Sequence, residues 1–139
     1  MSQKLILVKY ELENGIPIDE SSENLSSAYA PPELLNWAIE KGFITKIIIR
    51  ESLGEGADVP VSIIDDGENT HLDAVFQYIE AELIKYIEDA HSHISGGVLK
   101  PKELDRQFSS LHIWLEARNI FKEKMDKYKD NCNIKIVVG

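Results

Sequence analysis

Runs and spacings of apolar residues divide the chain into four predicted strands and three predicted helices. Aliphatic and β-branched runs predict strands at residues 4–12, 44–50, 59–64 and 133–138. Apolar residues at helical spacing predict a short helix that Pro31-Pro32 opens and Gly42 ends, and long helices over about 70–96 and 102–129. The predicted order is therefore β-α-β-β-α-α-β.

This order predicts a single α+β domain over residues 1–139, in which three helices cover one face of a four-stranded sheet. If the two long helices act as one crossover, the plan approaches a split β-α-β, or ferredoxin-like, arrangement with one helix duplicated. Residues 5–8 are apolar on both faces of the first strand, which suits a central position beside the last strand.

Residues 13–30 are predicted to be a turn at Asn14-Gly15 followed by a long polar loop. Pro17, several serines and several acids give the segment little regular periodicity. Loops longer than about 12–15 residues are uncommon inside compact domains and are often functional.

The uneven distribution of charge changes the kind of partner to expect. The formal net charge is −9; residues 11–89 hold 18 acidic and four basic residues, whereas residues 90–139 hold six acidic and nine basic ones. Such a field repels nucleic acid and anionic membranes and attracts basic proteins. Net negative charge also keeps a small protein soluble, so solubilisation alone is an alternative explanation.

Eight carboxylates in predicted loops are the candidate partner-binding residues. Loops on a rigid scaffold commonly carry binding residues, and acidic loops are suited to a basic surface. The eight are Asp19, Glu20, Glu23, Glu55, Asp58, Asp65, Asp66 and Glu68.

These features predict a small, non-catalytic, acidic binding protein that occludes a basic surface of a partner protein, such as a toxin, a nuclease or a nucleic-acid-binding enzyme. Immunity proteins and viral counter-defence inhibitors are often small, acidic and free of catalytic motifs. The analogy is one of class, and no family resemblance supports it. Direct binding to nucleic acid or to a membrane is not expected.

A second interpretation is a metal-dependent enzyme or small-ligand binder. Asp65, Asp66, Glu68 and His71 lie where the third predicted strand meets the second long helix, and carboxylates at a strand end can hold Mg²⁺. Acids and small polar residues equally favour a turn and a helix N-terminus. Because no phosphate loop or nucleophile motif accompanies them, the sequence predicts no catalytic residue, metal or cofactor.

A third interpretation is a self-associating assembly subunit, which requires an exposed apolar patch on the helices. The sequence leaves the oligomeric state open. The apolar run at residues 5–8 is too short for a signal-peptide core or a membrane span, so a cytoplasmic protein is expected. The one cysteine, Cys132, cannot form an internal disulfide and is expected to be buried or half-buried.

Overall fold

The computed structural model describes residues 3–52, 57–64, 70–96 and 101–139. These residues contain five strands and three helices, which confirms the α+β class and the three predicted helices. The elements are β1 (Lys4–Glu13), β2 (Ile16–Tyr29), α1 (Pro32–Glu40), β3 (Ile44–Arg50), β4 (Asp58–Ile64), α2 (Thr70–Gly96), α3 (Pro101–Lys127) and β5 (Ile134–Val138).

The strands close into a small barrel in the order β1-β2-β3-β4-β5. β1 pairs antiparallel with both β2 and β5, and β4 pairs antiparallel with both β3 and β5. A parallel contact between Ile18 of β2 and Arg50 of β3 completes the ring. The predicted pairing of the first and last strands is confirmed, but the four-stranded, ferredoxin-like plan is wrong.

The fifth strand is β2, which replaces the polar loop predicted for residues 13–30. Only Pro17, Ile18 and Ala28 are buried among its 14 residues, so its own sequence carries little strand periodicity. Its partner β1 is strongly apolar and supplies the backbone pairing, with register shifts at Leu7/Val8 and Lys9/Glu11. Strand preference depends on such neighbours more than on the strand's own residues, which is why the polar pattern misled the prediction.

The turn between β1 and β2 is the predicted one at Asn14-Gly15. Both residues have positive φ angles, 52° and 80° respectively. A two-residue hairpin turn of the primed type requires this backbone conformation, which asparagine and glycine adopt at low cost. The turn therefore fixes how β2 returns along β1.

The main hydrophobic core lies between one face of the sheet and the helices. Leu5, Leu7 and Ile136 pack there against Ile79 of α2 and Phe121 of α3, and all five side chains are buried. A smaller cluster is formed by strand residues alone, around Val8, Tyr10 and Ile49. The helices thus cover one face, as predicted.

A buried lysine lies near the end of α3. Lys124 is buried, and its Nζ donates hydrogen bonds to the carbonyl oxygens of Tyr128 and Asn131, each at 2.9 Å. These carbonyls follow the helix, where backbone acceptors lack helical partners. These two hydrogen bonds therefore join the Lys124 side chain of α3 to the segment that connects α3 with β5.

Candidate functional site: an acidic rim

Carboxylates collect at the end of the barrel where β1 ends, β2 begins, β3 ends and β4 begins. We call this group the acidic rim. Its members are Glu11, Glu13, Asp19, Glu20, Glu51 and Asp58.

Strand register and backbone hydrogen bonds bring the rim together. Glu11 is paired in register with Ile18, the residue before Asp19. The Glu20 N–H donates to the carbonyl oxygen of Glu51 at 3.0 Å, which joins β2 to the end of β3. The Glu51 N–H in turn donates to the carbonyl oxygen of Ala57 at 2.9 Å, beside Asp58. Residues distant in sequence are thus held on a rigid frame.

Arg50 lies within the rim and neutralises part of its charge. Its guanidinium is 3.6 Å from a carboxylate oxygen of Glu13, and Arg50 pairs in register with Asp58. Glu11, Asp19, Glu20, Glu51 and Asp58 are exposed. Six carboxylates outnumber this guanidinium, so the rim presents a negative field that attracts cationic groups.

Tyr10 is a buried residue of β1 whose phenol pKa is affected by a rim carboxylate. Burial, and secondarily the negative charge of Asp19, raise the pKa of its phenol from 10.0 to about 12. Both causes disfavour the phenolate, because ionisation would place a new negative charge in a poorly solvated site near a carboxylate. The charge of Asp19 therefore disfavours ionisation of a buried strand residue.

We expect Tyr10 to ionise near pH 12 in the folded protein, measured by ultraviolet absorbance of phenolate and assigned with Tyr10→Phe. Its folded pKa lies above the unfolded value of ~10, so its contribution to stability is present below pH ~10 and is lost as pH rises through ~12. Asp19→Asn should lower the pKa of Tyr10 but leave it above 10, since burial remains. Glu23→Gln is the matched control, and an equal shift in both variants would contradict the placement of Asp19.

The eight predicted carboxylates are distributed unequally. Asp19, Glu20 and Asp58 belong to the rim. Glu23 is exposed farther along β2, paired in register with Lys9. The remaining four lie outside the residues that the structure describes: Glu55, Asp65, Asp66 and Glu68.

Three rim residues were not among the predicted ones: Glu11, Glu13 and Glu51. Glu11 lies in the first predicted strand and Glu13 begins the predicted loop over residues 13–30, and neither was singled out as a binding residue. The available signal was their position beside the Asn14-Gly15 turn, since residues next to a hairpin turn lie at a barrel end.

Of the four residues in the metal-site interpretation, the structure describes only His71. This side chain is half-buried at the start of α2 and stacks on Phe43, with ring centroids 4.6 Å apart. Asp65, Asp66 and Glu68 lie outside the described residues. Among the residues that the structure does describe, no group of three or more His, Cys, Asp or Glu side chains is placed to hold a metal ion.

Cys132 is exposed, contrary to the expectation of a buried or half-buried thiol. It lies in the connection between α3 and β5, before the first buried residue of that strand, Ile134. The apolar residues of β5 therefore begin two residues after the thiol.

Comparison with known proteins gives no relative: no family model, no curated protein and no solved structure matches this chain. In the described part of the chain, neither long helix has the uninterrupted apolar length that crossing a bilayer requires.

Proposed function

We propose that this protein is a small, acidic, non-catalytic binding protein that occludes a basic surface of a partner protein, in the manner of an immunity or counter-defence inhibitor. The observation that carries the proposal is the acidic rim: six carboxylates at one barrel end with Arg50 between them. The basic partner would be a toxin, a nuclease or a nucleic-acid-binding enzyme, acting in the cytoplasm.

Strand register makes the rim suited to this role. A surface that matches a fixed pattern of positive charge has to hold its own charges at fixed spacing before contact. The backbone bonds from Glu20 to Glu51 and from Glu51 to Ala57 hold three strand ends in that way. Complementary charge speeds encounter and selects the partner more than it adds affinity.

The proposal is tested by capture from host extract, followed by kinetics with the purified partner. The association rate should fall steeply as salt shortens the Debye length from ~30 Å at 0.01 M to ~8 Å at 0.15 M. The captured enzyme or toxin should lose activity on binding and regain it when the complex is dissociated. A partner whose association is indifferent to salt, or whose activity is unchanged, would overturn the proposal.

A second candidate, a self-associating subunit, is favoured by one observation on the long helices. Four large apolar side chains there are between 42% and 55% exposed. We call them the helix stripe: Ile84 and Ile87 of α2, and Phe108 and Leu115 of α3.

Two members of the stripe, Ile87 and Leu115, lie on one side of the helix pair. Phe76 of α2 meets Arg118 of α3, with the guanidinium 4.9 Å from the ring centroid. Ile87 lies three helical turns beyond Phe76, and Leu115 lies one turn from Arg118, so both share the side that this contact marks. Summed over the four side chains, the exposed apolar area is on the order of a few hundred Å².

If the stripe joins two copies, light scattering should show a dimer whose fraction rises with protein concentration. Ile87→Glu combined with Phe108→Glu should abolish it, because charges would be buried in the contact. A variant carrying Ile39→Glu on α1, where Ile39 is also exposed, should dimerise like the parent. A monomer at every concentration would contradict this candidate and leave the acidic-rim proposal untouched.

A further inference from the structure

The hairpin that joins β1 to β2 extends beyond the strand pairing that holds its base. Pairing of β1 with β5 ends before Tyr10, whose N–H donates to the carbonyl oxygen of Asn133 at 2.8 Å. Beyond this bond, residues 11–13 of β1 are paired in register with residues 16–18 of β2. We call residues 11–20 the hairpin arm.

The arm meets the other side of the barrel along a short seam. β3 pairs with β4 over its whole length, but it pairs with β2 only where Arg50 lies opposite Ile18. The Glu20 N–H also donates across the seam to the carbonyl oxygen of Glu51 at 3.0 Å, and Arg50 forms the 3.6 Å ion pair with Glu13. In the described part of the chain, no other strand pairing of the barrel is as short.

The arm and β3 are separated by a groove beside this seam. The groove has a volume of about 330 Å³ and is lined in part by Leu12 and Pro17 of the arm and by Ile48 of β3. Leu12 is 44% and Ile48 is 52% exposed, so much of each side chain is left uncovered. Burial of Pro17 and Ile18 favours the closed position. Segments with few buried contacts open locally while the remainder of a protein stays folded.

Both ends of the arm lie at irregularities where the chain can bend. On β1, the register with β2 shifts between Lys9 and Glu11. On β2, Ser21 and Ser22 follow the arm before pairing with β1 resumes at Glu23. Bulges bend a strand and interrupt its ladder, and a few residues at the end of an element commonly act as a hinge.

We propose that the hairpin arm opens and closes at the seam as a unit, and that its position controls the acidic rim. The seam divides the six carboxylates, so that opening parts the rim and closing assembles it around Arg50. The motion goes beyond the proposed function, whereas the control of binding rests on it. The arm holds Glu11, Glu13, Asp19 and Glu20, and the other side of the seam holds Glu51 and Asp58.

Two backbone hydrogen bonds of similar length report on the motion. The Glu20 N–H donates across the seam, whereas the Tyr10 N–H donates at the base of the arm. In native-state hydrogen exchange, corrected for the rate of each amide in the unfolded chain, Glu20 should exchange about tenfold or more faster than Tyr10, because opening breaks only the first bond. Equal protection of the two amides would show that the seam opens only when the barrel unfolds, and would contradict the proposal.

A disulfide across the seam tests whether opening is what exposes the Glu20 amide. Ile18→Cys combined with Arg50→Cys places two thiols at the register pair of the seam, and Cys132→Ser removes the native thiol. Oxidation should slow exchange at Glu20 by about tenfold or more and leave Tyr10 unchanged, since the lock prevents local opening. The reduced form of the same protein is the control. An unchanged Glu20 rate in the oxidised form would overturn the proposal.

Arg50→Gln tests the seam without a new covalent bond. The variant loses the ion pair with Glu13 and leaves carboxylates on both sides of the seam without the guanidinium between them. Exchange at Glu20 should therefore become several-fold faster. Lys46→Gln is the matched control, because Lys46 is an exposed basic residue of the same strand that has no register pair with the arm. Equal acceleration in both variants would mean that Arg50 does not hold the arm.

The outcomes separate this inference from the proposed function. The exchange measurements need no partner, so their failure would leave the rim as a fixed surface and the basic-partner proposal standing. With the captured partner, the oxidised form should associate several-fold faster than the reduced form, because all six carboxylates then act together. Equal association rates in the two forms would show that the arm does not control the rim.

Discussion

Replacing Ile79 by alanine should lower the free energy of unfolding by about 2–5 kcal/mol. Ile79 is fully buried on α2 within the main core, between the sheet and α3. The variant loses the transfer free energy of three buried carbon atoms and leaves a cavity that the closed barrel resists filling. Packed surroundings collapse only partly around such a void, which is why the cost exceeds that of burial alone.

Chemical denaturation measures this change, with Ile39→Ala as the matched control. Ile39 is also an isoleucine in a helix, but it is 62% exposed, so its replacement should cost less than about 0.5 kcal/mol. Equal losses in the two variants, or a loss below ~0.5 kcal/mol for Ile79→Ala, would contradict the placement of the core on this side of α2.

Reversing charge on the acidic rim should slow association with the basic partner by about tenfold or more at low salt, since electrostatic steering contributes factors of 10–10³. The variant combines Asp19→Lys with Asp58→Lys. Both carboxylates are exposed, so the fold and its stability should change little. The effect should shrink as salt is added, because the rim charges are screened.

A control with the same change of net charge separates the rim from the overall field. Glu88→Lys combined with Asp105→Lys alters exposed acids near the end of α2 and near the start of α3, the end of α3 that is remote from its connection to β5. Stopped-flow association rates of the two variants should differ by several-fold in the predicted direction. Identical rates would mean that net charge alone steers the partner and that the rim has no special part in recognition.

The two predictions probe opposite parts of the molecule. Ile79 is buried in the main core, whereas Asp19 and Asp58 are exposed carboxylates of the rim. Stability and binding should therefore respond independently: the rim variant should unfold like the parent, and Ile79→Ala should bind with an unchanged on-rate while it remains folded. Mutations at separate sites with no shared partners usually act additively.

The sequence by itself determined the elements that carry a strong periodicity. β3 occupies the predicted residues 44–50, and α2 and α3 lie close to their predicted limits, because β-branched runs and helical spacing of apolar residues are properties of a single segment. Apolar residues on both faces of residues 5–8 predicted a central strand, and β1 does have a partner on each side, β2 and β5. The last strand was expected as one neighbour because of the ferredoxin-like plan, not because of β1 itself.

Only the tertiary structure determined that most of residues 13–30 form a strand and that the barrel closes. β2 is polar along most of its length, and its strand form comes from pairing with β1, which no local pattern encodes. Closure depends on the contact of Ile18 with Arg50, two residues 32 positions apart. The acidic rim follows from the strand form of β2 and from the closure. Asp19 and Asp58 were predicted as carboxylates of separate loops. Glu11, Glu13 and Glu51 are their neighbours because strand register, which is a long-range property, places four strand ends together.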